Sequence, residues 1–338
     1  MSKIAGDFSC ASLLETQVKI DRIWADAAAQ KDYIAEVGTL TALRANQTAQ
    51  LTDLEETEKT RTVKVMWLTD CSGDTGDNCD DDCSVGGTEL EADCKTYALD
   101  LCHKIGFTIS EKVFRTNNFS KEEVLAKALM TKSKAMDEWI TTTVIAILDT
   151  FSGVNVFPGI GTVVGTDTYI QAPYWTADLL AYFTEAKVLN KMRNSFMLSG
   201  HNLYQQSLLA NWKSGNSDGK GDASIFSMMN LVFDLFNLDS TLGAKKTFLI
   251  ERSAYAFHSK TYFNSTPETL VGAGLTRWTM PSKNLPGVNY DVTYTTRCEG
   301  NDIFYDWSLQ FYGGFFQNPL PCNGQNTGIL SFICGNTP

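Results

Sequence analysis

The chain has 338 residues, 43% of them hydrophobic, and a formal net charge of −11. That length buries a sizeable core and suggests about two domains. The acidic balance, with no dense Lys/Arg run, argues against tight nonspecific binding to phosphate, although it leaves looser contact with DNA open.

Residues 11–60 read as mostly helical and polar, with Leu13, Leu14, Val18, Ile20, Ile23 and Trp24 following a helical period. The stretch from Ala45 to Glu58 lacks an apolar face and reads as an extended arm that needs a surface to lie on. Thr60 to Thr69 reads as a strand, and Asp70 to Asp82 as a loop of Asp, Gly and Cys. A short helix is expected over Glu89–Lys104 and a returning strand over Phe107–Thr116. The whole 60–116 stretch therefore reads as a two-stranded excursion with a decorated tip.

The clearest helix follows. Ser120 and Glu123 form an S-x-x-E capping box, and Gly153 is the expected stop. Leu125, Leu129, Met136, Ile140, Val144, Ile147 or Leu148, and Phe151 recur at helical steps, with one gap at Lys132 and Ser133. Such a helix is roughly 45 Å long. Gly153 to Pro173 reads as loop and short strand, and a second helix is expected from Trp175 through Phe196 to Gly200. His201–Lys213 reads as a third helix, Ser214–Ser224 as a polar loop, Ile225–Leu238 as an amphipathic helix and Thr247–His258 as a strand. From Leu270 onward helix signals vanish. Pro281, Pro286, Pro319 and Pro321 punctuate short aromatic strands such as Val288–Tyr294 and Phe304–Tyr312. There is no internal repeat and no low-complexity linker.

Sites of chemistry are hard to find. Gly215-Asn216-Ser217-Asp218-Gly219 matches G-x-S-x-G, but it sits in a polar loop without the strand and helix of a nucleophile elbow. Gly159, Gly161 and Gly165 have the wrong spacing for a dinucleotide loop, and Pro158 precedes them, so they read as a glycine-rich turn. Gly219-Lys220 fails as a phosphate loop because Gly221 stands where Ser or Thr is needed. Asp70, Asp74, Asp77, Asp80, Asp81 and Asp82 supply hard oxygens for Ca²⁺ without EF-hand spacing. Cys71, Cys79, Cys83, Cys94 and Cys102 lack the paired spacing of a zinc site, so a solvated acidic loop, with or without a disulfide staple, is the expectation. His103, His201 and His258 have no evident nucleophile partner. The expected list of catalytic, cofactor-binding and metal-binding residues is therefore empty, and no enzyme activity is expected.

Targeting signals are equally sparse. The longest aliphatic run, near Val144–Leu148, is far short of a membrane span. Asp7 and Glu15 bracket a weakly apolar N-terminus with no signal-peptide core, so synthesis in a cytoplasm is the expectation. Nine cysteines suit such a compartment poorly unless the product later meets oxidising surroundings.

The order of elements resembles the major capsid protein of tailed bacteriophages, the HK97-type α+β fold. Thr60–Leu68 and Phe107–Thr116 look like its E-loop strands, and Ser120–Gly153 like its spine helix. Trp175–Lys213, Ile225–Leu238 and Thr247–His258 look like its axial domain. Leu270 to the C-terminus, including Leu285-Pro286-Gly287-Val288 and Gly328-Ile329-Leu330-Ser331-Phe332, looks like its peripheral β-region. The resemblance implies an N-terminal arm over 1–59, an E-loop over 60–118, a peripheral domain with the spine helix over 119–160, an axial α/β domain over 161–262 and a peripheral β-return over 263–338. It further implies pentamers and hexamers closing into an icosahedral shell around double-stranded DNA in a virion, assembled in the host cytoplasm. Scaffold, portal and decoration proteins would be the partners, with no membrane and no cofactor. An encapsulin-like compartment is the near alternative. A calcium-stabilised extracellular binding or hydrolytic protein is the alternative from another class.

Overall fold

The computed structural model describes residues 9–53, 62–68, 92–116, 119–156, 159–174, 179–201, 203–205, 230–243, 245–270, 274–319 and 327–335. In chain order these form α1 (Cys10–Ala25), α2 (Ala27–Gln30), a 3-10 turn (Lys31–Tyr33) and α3 (Gly38–Asn46). Four strands follow, β1 (Gln50–Asp53), β2 (Thr62–Leu68), β3 (Ala92–Ala98) and β4 (Leu101–Ser110). Next come α4 (Glu111–Thr116), α5 (Lys121–Thr150), β5 (Thr162–Val164), β6 (Asp167–Ile170), α6 (Leu179–Leu189) and β7 (Ser195–Ser199). The rest is β8 (Leu231–Phe233), α7 (Leu238–Leu242), β9 (Lys246–Glu251), β10 (Tyr255–Ser259), β11 (Glu268–Leu270), β12 (Leu275–Pro281), β13 (Asn289–Glu299), β14 (Asp302–Gln317) and β15 (Ile329–Cys334).

The long helix forms where its sequence predicts, but only half of its capping box does. Ser120 Oγ accepts from the Glu123 amide at 3.2 Å, while the Glu123 carboxylate turns to Lys127 at 3.4 Å. Its apolar face, from Leu125 to Leu148, is buried against α1, α3 and one sheet. That sheet runs β10-β14-β13-β12-β11, with β4 also paired to β14. It presents Trp278, Met280, Tyr290, Val292, Trp307, Leu309 and Phe311 to the helix. α1 joins through Leu13 and Ile20, two turns apart on its inner face.

A second sheet runs β5-β6-β15-β9-β7-β8. Its central strands are buried on both faces, which is why β7, β9 and β15 carry uninterrupted apolar stretches such as Phe196–Leu198 and Phe248–Ile250. Phe196, Leu198, Phe248 and Ile250 join the core around α5, whereas their neighbours Met197, Leu249, Leu330 and Phe332 meet Leu179, Phe183 and Ala186 of α6. The sheet is thus a wall shared by two cores. A third, smaller sheet, β1-β2-β3, is antiparallel throughout.

Several local expectations give way to tertiary pairing. Glu89–Lys104 is not helical in its described part, because Ala92–Ala98 pairs with β2 and Leu101–Ser110 pairs with β14. The partner of Thr62–Leu68 is therefore β3; Phe107 lies in β4, and Glu111–Thr116 is the helix α4. The helix expected through Phe196 ends at Leu189, since Ser195–Ser199 pairs with β8 and β9. Within Ile225–Leu238, Leu231–Phe233 is a strand parallel to β7. Thr247–His258 is two strands that enter different sheets, and Ile329–Cys334 returns to the second sheet instead of the first. The aromatic strands β13 and β14 are 11 and 16 residues long, not short. Of His201–Lys213, the described residues 201 and 203–205 are helical.

The long helix ends at Thr150, and Gly153 just beyond it is needed for a different reason from the one expected. It does not adopt the left-handed conformation of a helix cap. Its amide donates to Ile329 O at 2.8 Å, and a Cβ there would lie 2.6 Å from Thr327 Oγ1 and 2.8 Å from Thr327 N. Thr327 Oγ1 in turn donates to Phe151 O at 2.7 Å, so β15 is seated directly on the helix end. Gly153→Ala is expected to destabilise the fold by about 1–3 kcal/mol through this overlap. Urea unfolding of the variant checks it, and an unchanged midpoint would contradict the close approach.

Candidate functional site

The places where the sequence offered chemistry do not converge. The acidic loop Asp70–Asp82 with Cys71, Cys79 and Cys83, and the Gly215–Gly221 segment, lie outside the described residues. Cys94 lies on β3. Cys102 belongs not to that loop but to β4, where it is an exposed free thiol, as are Cys10 and Cys298; Cys334 is a half-buried thiol whose pKa burial pushes up. Of the expected glycine-rich turn, Gly159–Gly161 leads into strand β5, and the bend of the β5–β6 hairpin places Gly165 at φ 65°. His103 stacks on the Trp139 indole with centroids 4.2 Å apart. His201 Nδ1 is 3.4 Å from Asp239 Oδ2, and His258 sits on β10 opposite Gly314. Among the described residues no group of three His, Cys, Asp or Glu side chains is placed to hold a metal ion.

What the structure brings together instead is a set of buried polar joints. The first is Asp137, fully buried in the middle of α5. It accepts from Ser282 Oγ at 2.8 Å, from Asn284 Nδ2 at 2.9 Å and from the Tyr290 hydroxyl. Burial pushes its pKa up to about 6, against the opposing pull of these three donors. The same burial, and the neighbouring carboxylate, raise Tyr290 well above the ordinary tyrosine range.

The second joint is Lys246 on β9. Its Nζ reaches Asp149 at the end of α5 at 2.6 Å and Asp167 on β6 at 3.2 Å. Burial pulls the Lys246 pKa down, but the hydrogen bonds and charges of Asp149 and Asp167 outweigh it, so the net shift is upward. The third is Asp234, which accepts from Thr39 N at 3.2 Å and from Asn237 N at 2.9 Å, holding the first turn of α3 to the loop after β8. A sequence signal existed for Asp137. It lies one turn beyond Ser133, where the apolar period breaks, so two polar side chains share a buried helical face.

The surface carries features of another kind. Among the described residues, the β1-β2-β3 sheet meets the body through one face. Val63, Val65 and Trp67 meet Leu99, Ala256 and Phe316 there, and Tyr97 stacks on Phe316 at 4.6 Å. β4 pairs with β14 on one side, and among the described residues no strand covers its other edge. On α1, Leu14 and Val18, one turn apart, point outward, with Val18 63% exposed.

No family model matches the chain, and no curated protein matches it. Among solved structures, the capsid asymmetric unit of cyanophage A-1(L) aligns over 89% of this chain and 92% of its own, at 11% identity and a TM-score of 0.51. The capsid of Ralstonia phage GP4 aligns over 85% and 86% at 13% identity, with a TM-score of 0.45. The fold is therefore that of the A-1(L) capsid chain, which is the HK97-type α+β fold expected from the sequence.

Lys246 holds two carboxylates from two elements, so truncating it leaves both facing each other. Lys246→Met is expected to cost about 3 kcal/mol of stability. Adding Asp149→Asn and Asp167→Asn should recover part of that loss in chemical denaturation, because the repulsion is then gone.

Proposed function

We propose that this chain is the shell-forming subunit of a tailed-phage capsid and acts through contacts among many copies instead of through catalysis. The observation that carries this reading is the near full-length correspondence with the A-1(L) capsid chain in both directions. The free surfaces support it. Among the described residues, a β-sheet tied down by one face, a strand edge with no partner strand and an apolar pair on an exposed helix are surfaces of the kind that neighbouring subunits stabilise. Copies of one chain meeting through unlike surfaces close into rings when the rotation allows it, which is how five- and six-fold units arise.

In this reading residues 1–59 serve as the N-terminal arm, and β2 and β3 form the base of the extended loop within 60–118. α5 is the spine in 119–160, the second sheet with α6 belongs to the axial part in 161–262, and β11 to β14 belong to the peripheral part in 263–338. The shell would enclose double-stranded DNA held without sequence preference, and the net charge of −11 would limit sticking to phosphate. Scaffold, portal and decoration proteins are the further partners, and the virion is the final location.

The test is size-exclusion chromatography of the expressed chain, with negative-stain microscopy of the early fractions and nuclease-sensitive absorbance as a cargo readout. Closed shells, pentamers or hexamers are expected. Closed shells that hold protein cargo instead of nucleic acid would replace this reading with an encapsulin-like compartment. A monomer at every concentration, melting in a calcium-dependent way, would replace it with a calcium-stabilised binding protein.

A further inference from the structure

Asp137 stands out because it is a fully buried acid with no cation among its hydrogen-bond partners. A carboxylate in such a place is retained at a cost unless its donors compensate. Two of those donors, Ser282 and Asn284, lie in the loop between β12 and β13, and Tyr290 lies on β13 itself. Asn284 faces two ways. Its Nδ2 donates to Asp137 Oδ2 at 2.9 Å and to Tyr33 O at 3.2 Å, while its Oδ1 accepts from the Ala35 amide at 2.9 Å. The segment that carries Tyr33 and Ala35 connects α2 to α3, and Lys134 Nζ binds it again at Asp32 O, 3.2 Å away. Thus one side-chain amide connects the buried acid to the stretch over it.

We propose that Asp137 and Asn284 form a proton-operated clamp on the segment 31–37, which closes over the spine helix more tightly when Asp137 is protonated. This goes beyond the capsid reading and does not depend on it.

The linkage follows from the burial of Asp137 without a cation beside it, under a segment that packs on the same helix. With the segment and the 282–285 loop in place, the carboxyl is shut away from water, and burial raises its pKa from 3.8 to about 6. If the segment lifts and water reaches the carboxyl, the pKa returns toward its ordinary value. The closed form therefore binds the proton more strongly. Closure is favoured at low pH, and the advantage is lost as pH rises from about 4 through about 6. On protonation one of the two hydroxyls that donate to the carboxylate, Ser282 or Tyr290, rotates its hydrogen away and accepts the new proton's bond on a lone pair.

The charged and titratable groups around the site are few. Glu138 on the same helix adds to the upward push, and Arg44 of α3 faces Tyr290. Tyr33 and Asp32 lie on the strap, with the Tyr33 pKa raised by burial and by Asp32. Lys134 holds the strap backbone, and Lys283 is engaged by Asp21 at 2.7 Å. None of these puts a cation on Asp137.

Hydrogen exchange of the Ala35 amide in the full chain, corrected for intrinsic rate, tests the clamp. Each pKa unit between closed and open forms is a factor of ten, so the full window is worth about 100-fold, of which roughly tenfold falls between about pH 5 and about pH 7.5. Protection at Ala35 is expected to fall by that tenfold on alkalinisation in the wild type and to stay level in Asp137→Asn. Tyr290→Phe removes a donor that holds the pKa down, so its transition should move to higher pH. A level wild-type profile, an unchanged slope in Asp137→Asn, or an unmoved midpoint in Tyr290→Phe would each overturn the proposal. The last variant keeps it testable if Asp137→Asn does not fold.

Discussion

Burial of the apolar face of α5 is the constraint on which the rest depends. A 30-residue helix is far too long to be covered by a single short element. Here it is covered along its length by α1 and α3, by the β10–β14 sheet and by one face of the second sheet. Each of those elements turns an apolar face to the helix, so the helix face decides where each one sits. Because the second sheet has its other face under α6, the same helix indirectly positions the smaller core as well.

The buried polar groups lie at the joints of this arrangement. Asp137 ties the middle of the helix to the β12–β13 loop, Lys246 ties its C-terminal end to β6 and β9, and Asp234 ties α3 to the loop after β8. Apolar contact is nondirectional and tolerates sliding. Hydrogen bonds to a charged group in a dry site do not, because any slip leaves that group unpartnered. The joints therefore fix register where hydrophobic contact by itself would leave it loose. They sit inside the body, while the exposed apolar pair on α1 and, among the described residues, the open edge of β4 lie at its periphery.

How much could be read beforehand differs element by element. α5 was legible from its cap and its 3.6-residue period, since both are local properties of the chain. β3 was not. Glu89–Lys104 mixes charged, small and apolar residues without a clear period, and only pairing with β2 on one part and β14 on the other makes it strand. Phe196 looked like the last turn of a helix because Met192 and Leu189 precede it at helical steps. It is a strand residue because β9 lies beside it. The expected stop at Gly153 falls three residues beyond the last helical residue, Thr150, and what requires glycine there is Thr327, distant in sequence.

The chain by itself determined the long helix, the β-rich character of its last seventy residues and the layout that resembles a capsid subunit, because periodicity, capping and element order are written along it. Only the tertiary structure decided which strands share a sheet, that β10 and β15 cross to opposite sheets, and that Asp137, Asn284 and the 31–37 segment meet. Those outcomes depend on contacts between residues far apart in the sequence, from Tyr255 with Gln317 to Ala35 with Asn284. No local pattern encodes them, since each partner is an ordinary residue until the other is beside it.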